Sequence, residues 1–394
     1  MEQKKEQQFI FALIDSALNQ KVWTEIPEDI DWQYVYTLCE FHKIANLVSY
    51  ALDYAAPMIQ EKIPEKICRM FLHARQQGLA REATQYFSLE EIRQKFEEQQ
   101  ICNILLKGAQ LKSYYPSPDM RFLTDLDILC CRQDADRILK IMEELGYTRK
   151  YEGGHHDVYV RKPFMTVEIH WSCSTENKRM DSLFASIWER CMLIEGWSCS
   201  YQMRWEDYYV YMIGHMEKHL RYSGIGIRML LDLLVFEKGL YDICDWERVH
   251  EYLEEANVLL FSKTMSCFLK KCLQGVPLVP QDQILLEHIW ESGAYGTSQN
   301  HAGMRFLKDG GSRRSILKNK ICLFFRILFP ALEGMQQNYT YLRRCPLLLP
   351  AAWIERLVKK TLFENRKSRR ILKNAGDTRY LKKMDSVCRA AGLY

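Results

Sequence analysis

The sequence predicts an α+β protein: a small α/β core with a mixed sheet, set between an N-terminal helical region and a larger C-terminal helical region. Three observations carry that expectation. Apolar residues recur at helical spacing through most of the first hundred residues. Short strand-like runs then cluster between Ile101 and Cys173. Helical spacing returns from Asp181 and continues almost to the C terminus. The expected division is residues 1–98, 99–176 and 177–394, the last ending in a basic tail.

The N-terminal helices are read from FIFALIDSAL, YTLCEFHKIANLVSYALDYA and REATQYFSLEEIRQKFEEQQ, each with an apolar stripe at a period near 3.6. At Ile101 the character changes. ICNILLKG is a short apolar run ending in Gly108, as a buried strand entering a turn would be. AQLKSYYPSPDMRF then holds a short helix and a Pro-bounded loop. LTDLDILCC alternates acidic and apolar residues, which marks a second strand. DADRILKIMEELGY is an amphipathic helix with Gly near its end. HHDVYVRK and MTVEIHWSC, joined through a Pro-containing connection, read as a hairpin. The loop around GAYGTSQNHAGMRFLKDGGS marks the start of the basic part.

A chain of 394 residues is long enough for two or three compact units. Its 47% hydrophobic and 26% charged composition is that of a globular protein and argues against disorder. The opening MEQKKEQQFIFALIDSALNQ breaks its apolar run with Asp15, so a signal sequence is not expected. The most apolar stretch, ICLFFRILFPAL, is short and contains Arg326, so no membrane span is expected and a cytoplasmic location is. The 14 Cys show no paired CxxC spacing and are read as reduced thiols. The net charge of +4 is unevenly spread: residues 311–394 carry 19 Lys and Arg against 5 Asp and Glu. Such a field would attract nucleic acid, a nucleotide or an acidic partner, and a solvated helical face is the plainer reading.

The chemistry concentrates in the middle segment. Residues two apart in a strand share a side, so Asp125 and Asp127 would present paired carboxylates while Leu126 and Ile128 point into the core. Such a pair repels itself and suits a divalent cation. Glu168, between apolar Val167 and Ile169, is a third acid in mid-strand. If the two strands are neighbours, the three acids could hold two Mg²⁺ or Mn²⁺ ions for in-line displacement at phosphorus. Lys107 and Gly108 follow the first strand, where backbone N–H groups and an ammonium can meet phosphate oxygens. His170 should share the face of Glu168, as a neighbour of the site or as a structural histidine. His155 and His156 open a strand at the edge of the same unit. His215 and His219 are four apart on a helix and, with Arg228 and Asp232, are read as lining a cleft or as packing residues. Zinc proteases carry Glu directly after the first such His, and here that residue is Met216.

The segment LLKGAQLKSYYPSPDMRFLTDLDIL followed by VEIHW resembles the nucleotidyltransferase-fold superfamily, which includes polymerase-beta-like enzymes. It is more closely similar to the bacterial family of uncharacterised nucleotidyltransferases, with their KG loop, R-x-x-[ST]-D-x-D strand and V-E-x-H-W strand. HMEKHLRYSGIGIRMLLDL adds to the likeness, which spans roughly residues 35–240. The resemblance implies that Asp125, Asp127 and Glu168 bind metal and that Gly108 with its neighbours Lys107 and Ala109 holds nucleotide phosphates. It also implies transfer of an NMP group from an NTP, ATP first among them, to an unidentified acceptor hydroxyl, with Glu168 or Asp127 taking the proton. Arg121 would contact a phosphate or pair with an acid such as Asp119. One departure stands out: the superfamily's Ser after the glycine is Ala109 here, with Lys107 or Ser113 as the groups that would compensate. An inactive binding or scaffold protein of this fold and an RNA-directed factor are the competing readings.

Overall fold

The computed structural model describes residues 5–294, 296, 329, 332, 335, 339, 341–363 and 378–394. The chain begins with α1 (Lys5–Asn19), α2 (Trp32–Phe41), α3 (Ala45–Asp53), the single turn α4 (Pro57–Gln60) and the long α5 (Glu65–Glu98). α1 buries Phe9, Ile10, Leu13, Ile14 and Ala17, the stripe expected of an amphipathic helix. Asp31 caps α2 by accepting from the Tyr34 backbone N–H at 2.9 Å, which satisfies one of the otherwise unpaired amides there. α5 bridges two apolar cores. Ile67, Phe71 and Ala74 of its first half pack in the larger one, and Leu89, Ile92 and Phe96 of its second half pack in the smaller.

The strands are β1 (Asn103–Leu105), β2 (Leu126–Cys130), β3 (Thr148–Glu152), β4 (His156–Arg161), β5 (Met165–His170), β6 (Met192–Leu193) and β7 (Ser200–Gln202). They form one mixed sheet in the order β3-β4-β5-β2-β1-β7-β6. β2 runs parallel to β5, and β1 antiparallel to β2. Leu126, Ile128, Val167 and Ile169 point to one face and pack with the second half of α5 and with Ile138, Ile141 and Met142 of α7 (Ala135–Glu144). Ile104 and Leu129 point to the other face and join the larger core with Tyr208, Ile213 and Met216 of α10 (Trp205–Tyr222).

The expected α+β class is therefore found, with helices on both sides of the sheet in sequence. Three strands exceed the expectation. β3, TRKYE, is an edge strand with mostly exposed positions, so it lacks the apolar alternation that would mark it. β6 and β7 are two and three residues long and fall where a return to helix was expected. β7 is held by β1, which no local pattern encodes: Asn103 pairs with Ser200 and Ile104 with Tyr201.

Beyond the sheet lie α8 (Lys178–Phe184), α9 (Ile187–Arg190), α10, α11 (Ile227–Leu240), α12 (Trp246–Glu255), α13 (Leu259–Gln274) and α14 (Pro280–Ser292). A helix at Thr378–Ala390 brings Met384, Val387 and Cys388 into the larger core. Among the described residues no helix is long and apolar enough to cross a membrane. Much of the basic stretch 311–394, and nearly all of ICLFFRILFPAL, lies outside the described residues.

Candidate active site

The parallel pairing of β2 with β5 sets Asp127 directly opposite Glu168. Paired residues share a face, so both carboxylates stand on the side away from α5 and α7. His170, two residues on, joins them: its Nε2 lies 2.7 Å from Asp127 Oδ1 and 3.3 Å from Glu168 Oε2. Ligand atoms of Asp127, Glu168 and His170 all fall within 4.8 Å of one another. Two carboxylates and an imidazole at this spacing fit a divalent cation such as Mn²⁺, and the oxygen donors fit Mg²⁺.

Asp125 sits one residue ahead of β2 and outside that three-residue group, whose third member is His170. Its carboxyl still senses the site: burial and the charge of Asp127 raise its pKa. Asp127 shows the opposite. Burial would raise its pKa, but Lys107 and His170 outweigh burial and hold it well below the usual carboxylate range. Lys107 Nζ donates to Asp127 Oδ1 at 2.5 Å, on the same oxygen that His170 contacts. The pKa of His170 is raised: burial opposes the charged ring, and hydrogen bonds to Asp127 and Glu168 more than offset it.

Lys107, two residues after β1, holds an unusual backbone conformation, with φ 53° and ψ −147°. A side chain makes that combination costly, about 1–3 kcal/mol, and such strain survives only where surrounding contacts impose it. One of those contacts comes from α10, where the Tyr208 hydroxyl donates to the Lys107 carbonyl oxygen at 2.5 Å. The next residue, Gly108, opens the short α6 (Gly108–Leu111). Ala109 turns its methyl into the apolar core with Leu123, Leu126 and Ile128.

The remaining residues expected at the site lie outside that three-residue group. The His156 ring stacks on His170 with centroids 5.3 Å apart, and burial lowers its pKa. The His155 carbonyl accepts from the Trp171 N–H at the end of β5. His215 and His219 face the same way on α10, their Nε2 atoms 3.1 Å apart, with Ser223 Oγ 3.1 Å from His219 Nδ1. Burial, with His219 and Lys107 nearby, pushes His215 well below the ordinary imidazole range. Arg228 donates to the Phe122 carbonyl at 2.9 Å, so α11 meets the loop before β2. Arg121 pairs with Asp232 of α11, at 2.5 and 2.6 Å, and Asp119 turns instead to Tyr50 and Ser117.

Sequence reasoning did not name Tyr208 or Tyr115, whose hydroxyl donates to Asp232 Oδ1 at 2.7 Å. Their partners are 101 and 117 residues away, and no local pattern marks either tyrosine.

A sheet that brings carboxylates from two parallel strands together beside a Lys-Gly turn has the parts of a metal-assisted phosphoryl-transfer centre. The family of uncharacterised nucleotidyltransferases matches residues 28–274, more than half of the chain, and the protein belongs to that family. No curated protein and no solved structure matches the chain at a significant level. Nucleotidyl transfer is the activity that the family supports.

Proposed function

We propose that this protein transfers an NMP group from an NTP, with ATP the first donor to test, to an acceptor hydroxyl, releasing pyrophosphate. The observation that carries the proposal is the register pairing Asp127 with Glu168, with His170 and the strained Lys107 on the same oxygen of Asp127. Asp125, Asp127 and Glu168, with His170 beside them, would hold Mg²⁺ or Mn²⁺, with two ions expected from the number of acids. Bound metal would neutralise charge on the triphosphate and lower the acceptor's pKa.

The chain's own groups then divide the work. Asp127 is 4% exposed and engaged by the Lys107 ammonium and the His170 imidazole, so it serves as a fixed anchor. The Glu168 side chain is 22% exposed, which favours it over Asp127 as the carboxylate that would take the acceptor's proton. Lys107, freed from Asp127 once metal neutralises that carboxylate, would turn its ammonium to the phosphates, with the Gly108 and Ala109 amides behind it.

Isothermal titration of MgATP into the wild type and into an Asp127→Ala, Glu168→Ala double variant tests the reading. Binding by the wild type alone supports it, and equal binding by both proteins removes it. Labelled NTP incubated with host extract then names the acceptor by mass spectrometry. Ala109 favours a second reading, binding without turnover, because its methyl is committed to the apolar core where the superfamily that the sequence resembles has Ser. Pyrophosphate release that depends on Glu168 would end that alternative.

A further inference from the structure

We infer that Arg121 and Asp232 form a positioning lock on the Gly108 turn, through which α11 holds Lys107 against the acid group. Its bearing on nucleotide rests on the proposed function; its geometry does not. Arg121 is 7% exposed and Asp232 5%. The guanidinium spends its donors inside the protein: Nε on Asp232 Oδ1 at 2.5 Å, Nη2 on Asp232 Oδ2 at 2.6 Å, and Nη1 on the Phe122 carbonyl at 3.0 Å. Tyr115 fixes the carboxylate from a third direction. A two-pronged Arg–carboxylate pair of this kind is rigid as well as strong.

The plane of that guanidinium lies against Gly108. A Cβ at this position would stand 2.6 Å from Arg121 Nη2 and 2.7 Å from Cζ, closer than real side chains approach. The glycine is therefore demanded by Arg121, a neighbour from its own chain, and Arg121 acts through the turn as a positioning residue. Two further contacts, one from α10 and one from α11, brace the segment, Tyr208 on the Lys107 carbonyl and Arg228 on the Phe122 carbonyl. Lys107 needs such bracing, because its own backbone preference opposes the conformation it holds. The helical region after the sheet is thus a working part of the site.

The test is amine acylation of the folded full-length protein, read lysine by lysine by mass spectrometry, with MgATP titration alongside. Asp232→Asn removes the charge partner. Gly108→Ala changes no charge and pushes on the guanidinium from the other side, so it serves where the first variant fails to fold. In each folded variant we expect acylation of Lys107 to rise about tenfold, toward the rate in Asp127→Asn, because local opening sets such protection. Lys271, whose ion pair with Asp282 is remote from the turn, should change less than about twofold on the same ground. MgATP should bind about tenfold more weakly, as misplacement of a positioned group does. Unchanged Lys107 acylation in a folded variant overturns the lock, and exposed Lys107 with wild-type MgATP affinity keeps the lock and overturns its bearing on nucleotide. Exposed Lys107 in the variants, with no MgATP binding even by the wild type, keeps the lock and removes the nucleotide reading.

Discussion

Lys107 and His170 approach the same oxygen of Asp127, at 2.5 and 2.7 Å, from opposite neighbours of β2 in the sheet. An ammonium and an imidazole on one carboxylate oxygen are a placeholder arrangement for a stronger cation. Mn²⁺ or Mg²⁺ should therefore raise the thermal midpoint of the wild type, with about 2.7 kcal/mol gained at a hundredfold excess over Kd. The Asp127→Ala, Glu168→Ala variant should show no such gain in differential scanning fluorimetry. A shift of equal size in both proteins would place the ion elsewhere.

Tyr208→Phe deletes the hydroxyl that holds the Lys107 carbonyl. Loss of a neutral hydrogen bond costs about 1 kcal/mol, and relaxation of the strained backbone returns part of it. Urea unfolding should thus show only a small loss, while MgATP affinity falls more than stability does. An unaltered affinity would mean that the carbonyl's position is not used.

Ala109→Ser introduces a hydroxyl at a position whose side chain belongs to the apolar core beside Leu126 and Ile128. The expected result is a stability loss of about 1–3 kcal/mol for a buried polar group that gains no partner, with little change in nucleotide binding. A clear gain in MgATP affinity by titration would show instead that the hydroxyl reaches the ligand.

His42 is fully buried against the Trp290 ring, and burial pulls its pKa from about 6.5 to about 4. Because the unfolded chain takes up this proton first, the neutral ring's stability is whole above pH 6.5 and drains away toward pH 4. The slope is about 1.4 kcal/mol per pH unit, or about 3 kcal/mol across the window. His288, also lowered to about 4 by burial, adds in the same direction. Replacing His42 with Phe should flatten the fall in urea midpoint between pH 6.5 and 4, leaving the share that His288, His215 and His156 keep. An equally steep fall in the variant would assign the acid sensitivity to other groups.

Much of the site could be read without coordinates because strand chemistry is local. Alternation alone put Leu126, Ile128, Val167 and Ile169 inward, and it set Asp127, Glu168 and His170 on the opposite side of their strands. Amphipathic periodicity located α1, the second half of α5 and α7 for the same reason, since one helix turn reports its own buried face, while the first half of α5, from Glu65, was not read. The Lys-Gly turn was equally visible.

Tertiary structure decided what no local rule reaches. It chose β5 as the parallel neighbour of β2, which brings residues 41 apart into register, and it put His170 rather than Asp125 in the group of converging ligand atoms. It gave Arg121 a partner 111 residues away instead of the adjacent Asp119, and it drew Tyr208 onto Lys107. Sequence patterns encode which side of an element is buried, because that depends on spacing along one backbone. Which elements then meet depends on how several apolar faces cover one another at once, and that is settled only when the whole chain packs.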